Sequence, residues 1–217
     1  MLDHPGMARR GGRPVGPLIV ASQSPRRRQL LEQAGIAFET VVSGVPEERI
    51  VGESAGEHAA RAALSKARAV SMRRPNALVL GADTVVECEG ELLGKPRDAQ
   101  DARRMLLCLS GRRHTVITAF ALARNGRLLD ARQVESRVRF RTLAPAQIER
   151  YVMSAEPFDK AGAYGIQGEA RSFVAEIDGP VDNVMGLPVE AVISALGRVS
   201  NRRPPAGRGG GPRARKG

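Results

Sequence analysis

An aspartate enclosed by apolar residues is where chemistry is first legible in this chain. Asp83 stands between Ala77–Leu80 with Gly81-Ala82 and Thr84-Val85-Val86. A buried carboxylate is costly unless paired or ligated, so Asp83 is read as a metal ligand or a general base, against a turn aspartate capping local N–H groups. A second stretch, Ser22-Gln23-Ser24-Pro25-Arg26-Arg27-Arg28, sets three arginines in the first turn of a helix. There the helix dipole disfavours cations by roughly 0.3–1 kcal/mol each. A bound phosphate would reverse that penalty, with free N–H groups and the serine hydroxyls completing a cradle. A solvated basic turn paired with carboxylates accounts for the same residues, and on this stretch alone the two readings stand level.

Weaker signals lie further along. Gly94-Lys95-Pro96 holds a lysine on a stiff loop suited to a phosphate contact. It is not a P-loop: three residues, not four, separate Gly90 from Gly94, and Pro96 stands where a Ser or Thr would bind magnesium. The run Asp159-Lys160-Ala161-Gly162-Ala163-Tyr164-Gly165-Ile166-Gln167-Gly168 reads as a tight loop approaching a ligand, or as an ordinary Gly-rich turn. In it, Gln167 can donate and accept together, as the edge of a nucleotide base requires. Lys66, on the edge of a helical apolar stripe, reads by itself as a surface lysine lying along the core.

The elements that must position these groups follow from periodicity and punctuation. Leu18–Ala21 reads as a short buried strand, Ser24 as an N-cap and Pro25 as the first residue of a helix ending at Gly35. Phe38–Ser43 is expected to be a strand, followed by a loop carrying Glu47 and Glu48. Ser54 with Glu57 is a capping box opening a long helix to about Met72. A buried strand at Ala77–Leu80 is expected to stop at Gly81, and Asp98 to cap a helix running to Leu109. Three strands, Thr115–Ala123, Leu128–Val134 and Ser136–Thr142, follow, the first two joined at Asn125-Gly126, a strong hairpin signal. A short helix at Pro145–Met153, a strand at Ser172–Ile177 and a helix from Pro188 to about Leu196 complete the chain. Helices alternating with strands, then an antiparallel group, make the fold α/β with a mixed sheet.

Composition limits the partners. The formal charge of +11 belongs to the ends: residues 1–17 carry +2, 198–217 carry +7, and 18–197 only +2. The expected organisation is a disordered extension over 1–17, one domain over 18–197 and a basic disordered tail over 198–217, with nucleic acid held, if at all, through the tails. Aromatics at 3% offer few stacking platforms for single strands. No apolar run reaches the ~20 residues of a membrane span. Cys88 and Cys108 form no C-x-x-C and point to a reducing cytoplasm, and the three histidines are scattered.

Four blocks in register resemble one family. Ala21-Ser22-Gln23-Ser24-Pro25-Arg26-Arg27, Gly81-Ala82-Asp83-Thr84, Lys95-Pro96 and the Asp159–Gly168 run are similar to the signature blocks of the Maf-like nucleoside triphosphate pyrophosphatases. The resemblance runs from about Leu18 to Leu196 and implies a long mixed β-sheet flanked by helices, in two lobes with a nucleotide cleft between them, often as a homodimer. It implies hydrolysis of a nucleoside triphosphate to the monophosphate and pyrophosphate with a divalent cation, magnesium or manganese. By position Asp83 would be the proton acceptor, and Asp83 with Glu47 is where the metal would sit; base, ligand or both stay open for Asp83. Arg26, Thr84 and Gln167 would set substrate choice, while Ser22, Lys66 and Lys95 would line the cleft. The Ala163–Gly168 form looks like the branch acting on dTTP and UTP. The chain departs from the family where Pro180 and Val181 precede Asp182-Asn183, which bears on the shape of that loop.

Overall fold

The structure, a computed structural model, describes residues 18–154 and 156–201; the expected disordered segments fall largely outside these residues. The strands are β1 Leu18–Val20, β2 Glu39–Thr40, β3 Leu78–Cys88, β4 Glu91–Leu93, β5 Arg113–Arg124, β6 Arg127–Phe140 and β7 Val174–Asp178. The helices are α1 Pro25–Gln33, α2 Ala55–Arg73, α3 Ala99–Leu109, α4 Pro145–Met153, α5 Val181–Val184 and α6 Val189–Asn201. The strands form one seven-stranded sheet in the order β2-β1-β3-β5-β6-β7, with β4 also on β3. β1 runs parallel to β2 and β3, and all other pairs are antiparallel, so the sheet is mixed.

β3 is the axis of the molecule. Its side chains alternate across the sheet. Leu78, Leu80 and Ala82 pack with Leu30 and Leu31 of α1 and Val192 and Ala195 of α6. Val79 and Val85 face the alanine-rich side of α2. A second apolar cluster, built on Val86, Leu93, Leu106, Phe140 and Tyr151, fills the other lobe.

The strand expected to stop at Leu80 instead runs unbroken through Asp83 to Cys88. Gly81 is read better as a packing residue: a Cβ there would collide with the Ala63 carbonyl oxygen and lie 2.6 Å from the Ala67 nitrogen. The absent side chain lets α2 settle on β3 rather than ending the strand. Likewise β6 passes through Glu135 as one strand, because its whole length pairs with β5. The Phe38–Ser43 strand shrinks to Glu39–Thr40, since β1 offers it only two partners. The hairpin at Asn125-Gly126 forms with both residues at positive φ, 49° and 72°, as a type I′ turn needs.

α6 continues past Leu196 to Asn201. Arg198 donates to Asp130 at 3.0 and 2.8 Å, which carries the folded chain beyond the expected boundary at 197. At the departure from the family, Pro180 stands before α5 and its carbonyl accepts from Ser136 Oγ at 2.8 Å. Asn183 is fully buried, donating to Val116 O and Ser136 Oγ.

Candidate active site

One edge of β3 is left open in its middle. β1 pairs with Leu78–Leu80 and β4 with Val86–Cys88, so among the described residues no strand covers Gly81–Val85 on that side. A cleft of ≈ 970 Å³ opens at this gap, between the C-terminal end of β1 and the loop before β7. An open strand edge exposes side chains of both sheet faces to one space. Asp83 therefore reaches the cleft toward α2 and Thr84, its neighbour in sequence, toward α1.

All eight sequence-predicted residues line this cleft: Ser22, Arg26, Glu47, Lys66, Asp83, Thr84, Lys95 and Gln167. Lys66 is not on the surface. It is only 5% exposed and donates to Asp83 Oδ1 at 2.6 Å, with Glu47 Oε1 at 2.7 Å. Its ammonium thus holds two carboxylates from distant segments on one point. Burial tends to raise the Glu47 carboxyl, but the hydrogen bond and charge of Lys66, with Lys95 and Arg27, hold it below the usual carboxylate range.

The helix start differs in detail from the expectation. Ser24 takes the N-cap position without using its hydroxyl; instead Ser22 Oγ accepts from the Ser24 N–H at 3.2 Å. Arg26, expected to face the ligand, lies at the mouth and pairs with Asp159 at 2.9 Å. Arg27 is the buried one. It donates to Gly186 O at 2.8 Å, Thr84 Oγ1 at 3.0 Å and Ser22 Oγ at 3.2 Å. Burial lowers its guanidinium against the pull of Asp83 and Glu47. A sequence signal for Arg27 existed: it lies three and four residues before the inward Leu30 and Leu31, on their face of α1. Thr84 Oγ1 is also shared with Thr118 Oγ1 at 3.0 Å and Gly186 O at 3.3 Å, so its hydrogen bonds are already made within the fold.

Gln167 is exposed on the cleft rim, between buried Ile166 and exposed Gly168. Glu156, which sequence reasoning missed, anchors this loop. Its Oε1 accepts from Tyr151 Oη at 3.0 Å and its Oε2 from the Glu169 N–H at 3.2 Å, while the Gly165 N–H donates to the same Tyr151 Oη at 3.3 Å. A Cβ on Gly168 would collide with the Glu156 carboxylate, which would have to move from its present place. Nothing in the local sequence of Glu156 marks it, because its partners arrive only by packing.

Beneath the loop, His114 Nε2 lies 2.8 Å from Tyr164 Oη, and its buried Nδ1 has no partner among the described residues. Burial pushes this imidazole from 6.5 down to about 4. Between those values the unfolded chain holds a proton that the folded chain does not, so stability falls as pH drops through the window, by up to about 3 kcal/mol. Denaturant titrations at pH 7 and pH 5 should show this loss, and His114→Phe should reduce the slope.

Residues 17–199 match the profile of the family described as Maf-like protein. The chain is 51% identical over 179 residues to a dTTP/UTP pyrophosphatase of Symbiobacterium thermophilum, spanning 82% of this chain and 92% of that one. It is 50% identical over 173 residues to a dTTP/UTP pyrophosphatase of Escherichia coli O157:H7, spanning 79% and 87%. A solved HAM1 protein of Coxiella burnetii aligns over 83% of this chain and 98% of its own at 15% identity and a TM-score of 0.47, a likeness too remote to carry an argument. A profile match over most of the chain, with relatives half identical across about four fifths of it, makes this protein a member of the Maf-like protein family.

Proposed function

We propose that this chain hydrolyses dTTP and UTP between the α and β phosphates, releasing the nucleoside monophosphate and pyrophosphate. The observation that carries the reading is the Asp83–Lys66–Glu47 cluster on the open edge of β3, in a cleft that also collects Lys95 and Gln167. Half-identical relatives that bear the name dTTP/UTP pyrophosphatase support the substrate class.

In this reading Asp83 takes the proton of the water attacking the α phosphorus, from within hydrogen-bond reach. Lys66 and Lys95 hold the phosphate chain, neutralising charge on the leaving pyrophosphate. Arg27 has its donors committed to Ser22, Thr84 and Gly186 and acts by fixing the β1–α1 turn and Thr84 in place. Arg26 must exchange Asp159 for substrate at the mouth, a small cost for an exposed pair.

The reading includes a divalent cation, magnesium or manganese, on Asp83 and Glu47. These residues fit: both oxygens lie within 2.7 Å of Lys66 Nζ, so the cleft already holds positive charge between them. No group of three or more His, Cys, Asp and Glu converges among the described residues, and an ion of this class is commonly bound by one or two carboxylates with phosphate and water. When bound it would neutralise phosphate charge and lower the pKa of a coordinated water.

The direct test incubates the protein with a panel of nucleoside triphosphates and magnesium or manganese, scoring pyrophosphate against orthophosphate. Pyrophosphate from dTTP and UTP is expected; orthophosphate as product would defeat the reading. Gln167 is assigned to the pyrimidine edge. Gln167→Ala should cut the preference for dTTP and UTP over CTP and GTP by about tenfold or more, because a base-reading amide discriminates through its own unpaired groups. An unchanged preference would move base reading elsewhere.

The same reading carries a homodimer, checked by sedimentation, and a cytoplasmic location, in keeping with two free thiols. A second reading, nucleic-acid binding, is favoured only by the basic C-terminal residues. Deleting 202–217, just past α6, should leave nucleotide hydrolysis intact and remove any RNA binding.

A further inference from the structure

α2 brings a second polar cluster to the cleft that the mechanism above does not use. His58 is 6% exposed and forms part of the cleft wall, two turns before Lys66 on the same helix. Its Nδ1 lies 2.6 Å from Glu53 Oε1. Glu53 is itself gripped by Arg61, whose Nε and Nη2 donate at 2.8 and 2.6 Å, and its Oε1 also accepts from the Ile50 N–H at 3.0 Å. The Arg61 hydrogen bonds outweigh the desolvation of Glu53 and hold its carboxyl ionised, well below the usual range. An ionised carboxylate only accepts, so His58 Nδ1 must carry the proton toward it. The 3.3 Å approach of Arg61 Nη2 to Nδ1 is then a contact between donors.

That arrangement fixes the ring and leaves Nε2 as its free polar atom. Nε2 has no hydrogen-bond partner among the described residues, yet it is not among the enclosed, unsatisfied atoms of the fold. His58 lines the cleft, so Nε2 is the ring atom left free for a group that enters it. With Nδ1–H held by Glu53, an approaching phosphate is met by Nε2, which donates to it as a charge-assisted hydrogen bond when the ring carries both protons. Arg61, bound to Glu53, also feels the charge of Asp83, which places this cluster within electrostatic reach of the candidate base.

We propose that His58 is a substrate contact at the pyrophosphate end of the cleft, its Nε2 hydrogen-bonding the terminal phosphate of the bound triphosphate and then the leaving pyrophosphate. The ligand class follows from position. His58 shares α2 with Lys66, whereas Gln167 stands on the separate loop anchored by Glu156. Glu53 and Arg61 are positioning residues that act through the ring. The assignment rests on the triphosphate reading above, and its test is separable from it.

The test measures binding of inorganic pyrophosphate, with magnesium, to the full chain by calorimetry, alongside pyrophosphate release from dTTP. His58→Asn keeps a donor where Nδ1 stands and removes Nε2; His58→Gln keeps a donor where Nε2 stands and gives up the Glu53 bond. A phosphate contact predicts that His58→Asn weakens pyrophosphate binding about tenfold or more and raises KM for dTTP with a smaller change in kcat, while His58→Gln retains part of the affinity. A purely structural role in anchoring Glu53 predicts the reverse order, and that order overturns the proposal. So does wild-type protein that binds no pyrophosphate, or His58→Asn that binds it normally. Normal binding by His58→Asn beside intact release from dTTP would sink the His58 contact alone, whereas absent release from dTTP in the wild type would sink the triphosphate reading. Thermal melting of each variant separates these results from failure to fold.

Discussion

Asp83→Asn is expected to lower the rate of pyrophosphate release by about 10²–10⁴-fold, the contribution of a positioned general base, with further loss where a bound cation depends on the same carboxylate. The amide has the same shape and can still accept from Lys66 through its oxygen, replacing the 2.6 Å bond to the carboxylate. Glu47 keeps a negative charge on the Lys66 ammonium at 2.7 Å, so that cation is not abandoned in the core. The variant should therefore fold, with a cooperative melt close to that of the parent. Pyrophosphate release and circular dichroism on one preparation check both halves. Near-normal turnover would remove Asp83 from the chemistry.

Lys66→Met should give the largest combined effect. Lys66 and Asp83 are 5% and 7% exposed, and taking away the cation leaves a carboxylate in the interior without its hydrogen-bonded partner, with only the more distant Arg27 and Arg61 to offset its charge. Breaking a buried pair in this way costs about 3–5 kcal/mol. Activity should be lost as well, because the phosphate contact and the hydrogen bond that orients Asp83 both go. The double variant Lys66→Met with Asp83→Asn should recover much of the stability and none of the activity, since it removes the unpaired charge as well as the cation. Denaturant unfolding of the parent, both single variants and the double variant completes the cycle. A Lys66→Met protein within about 1 kcal/mol of the parent would show that the pair does not share the buried site described here.

Much of this was legible in the chain itself. Local rules placed the capping box at Ser54, the Asp98 cap, the Asn125-Gly126 hairpin and α4, because each depends on residues within a few positions of one another. The anomaly of an acid within an apolar run led directly to Asp83, and the resemblance of four blocks collected the remaining cleft residues. Periodicity also held unused information: Arg27 shares a face with Leu30 and Leu31, and His58 lies on the buried side of α2 with Ala55, Ala59 and Ala62.

What the chain by itself determined, then, was which residues carry charge where charge is expensive, and which short elements hold them. Tertiary structure alone decided how those charges are shared. By its local pattern Lys66 reads as surface until α2 is laid on β3, a contact made through the missing side chain of Gly81 and the backbone at Ala63 and Ala67. Arg26 and Arg27 are equivalent by composition, yet one closes the mouth on Asp159 and the other is buried under Gly186. The physical reason is common to these cases. Burial and pairing come from segments far apart in sequence, and no local pattern records which partner arrives at a side chain once the sheet is assembled.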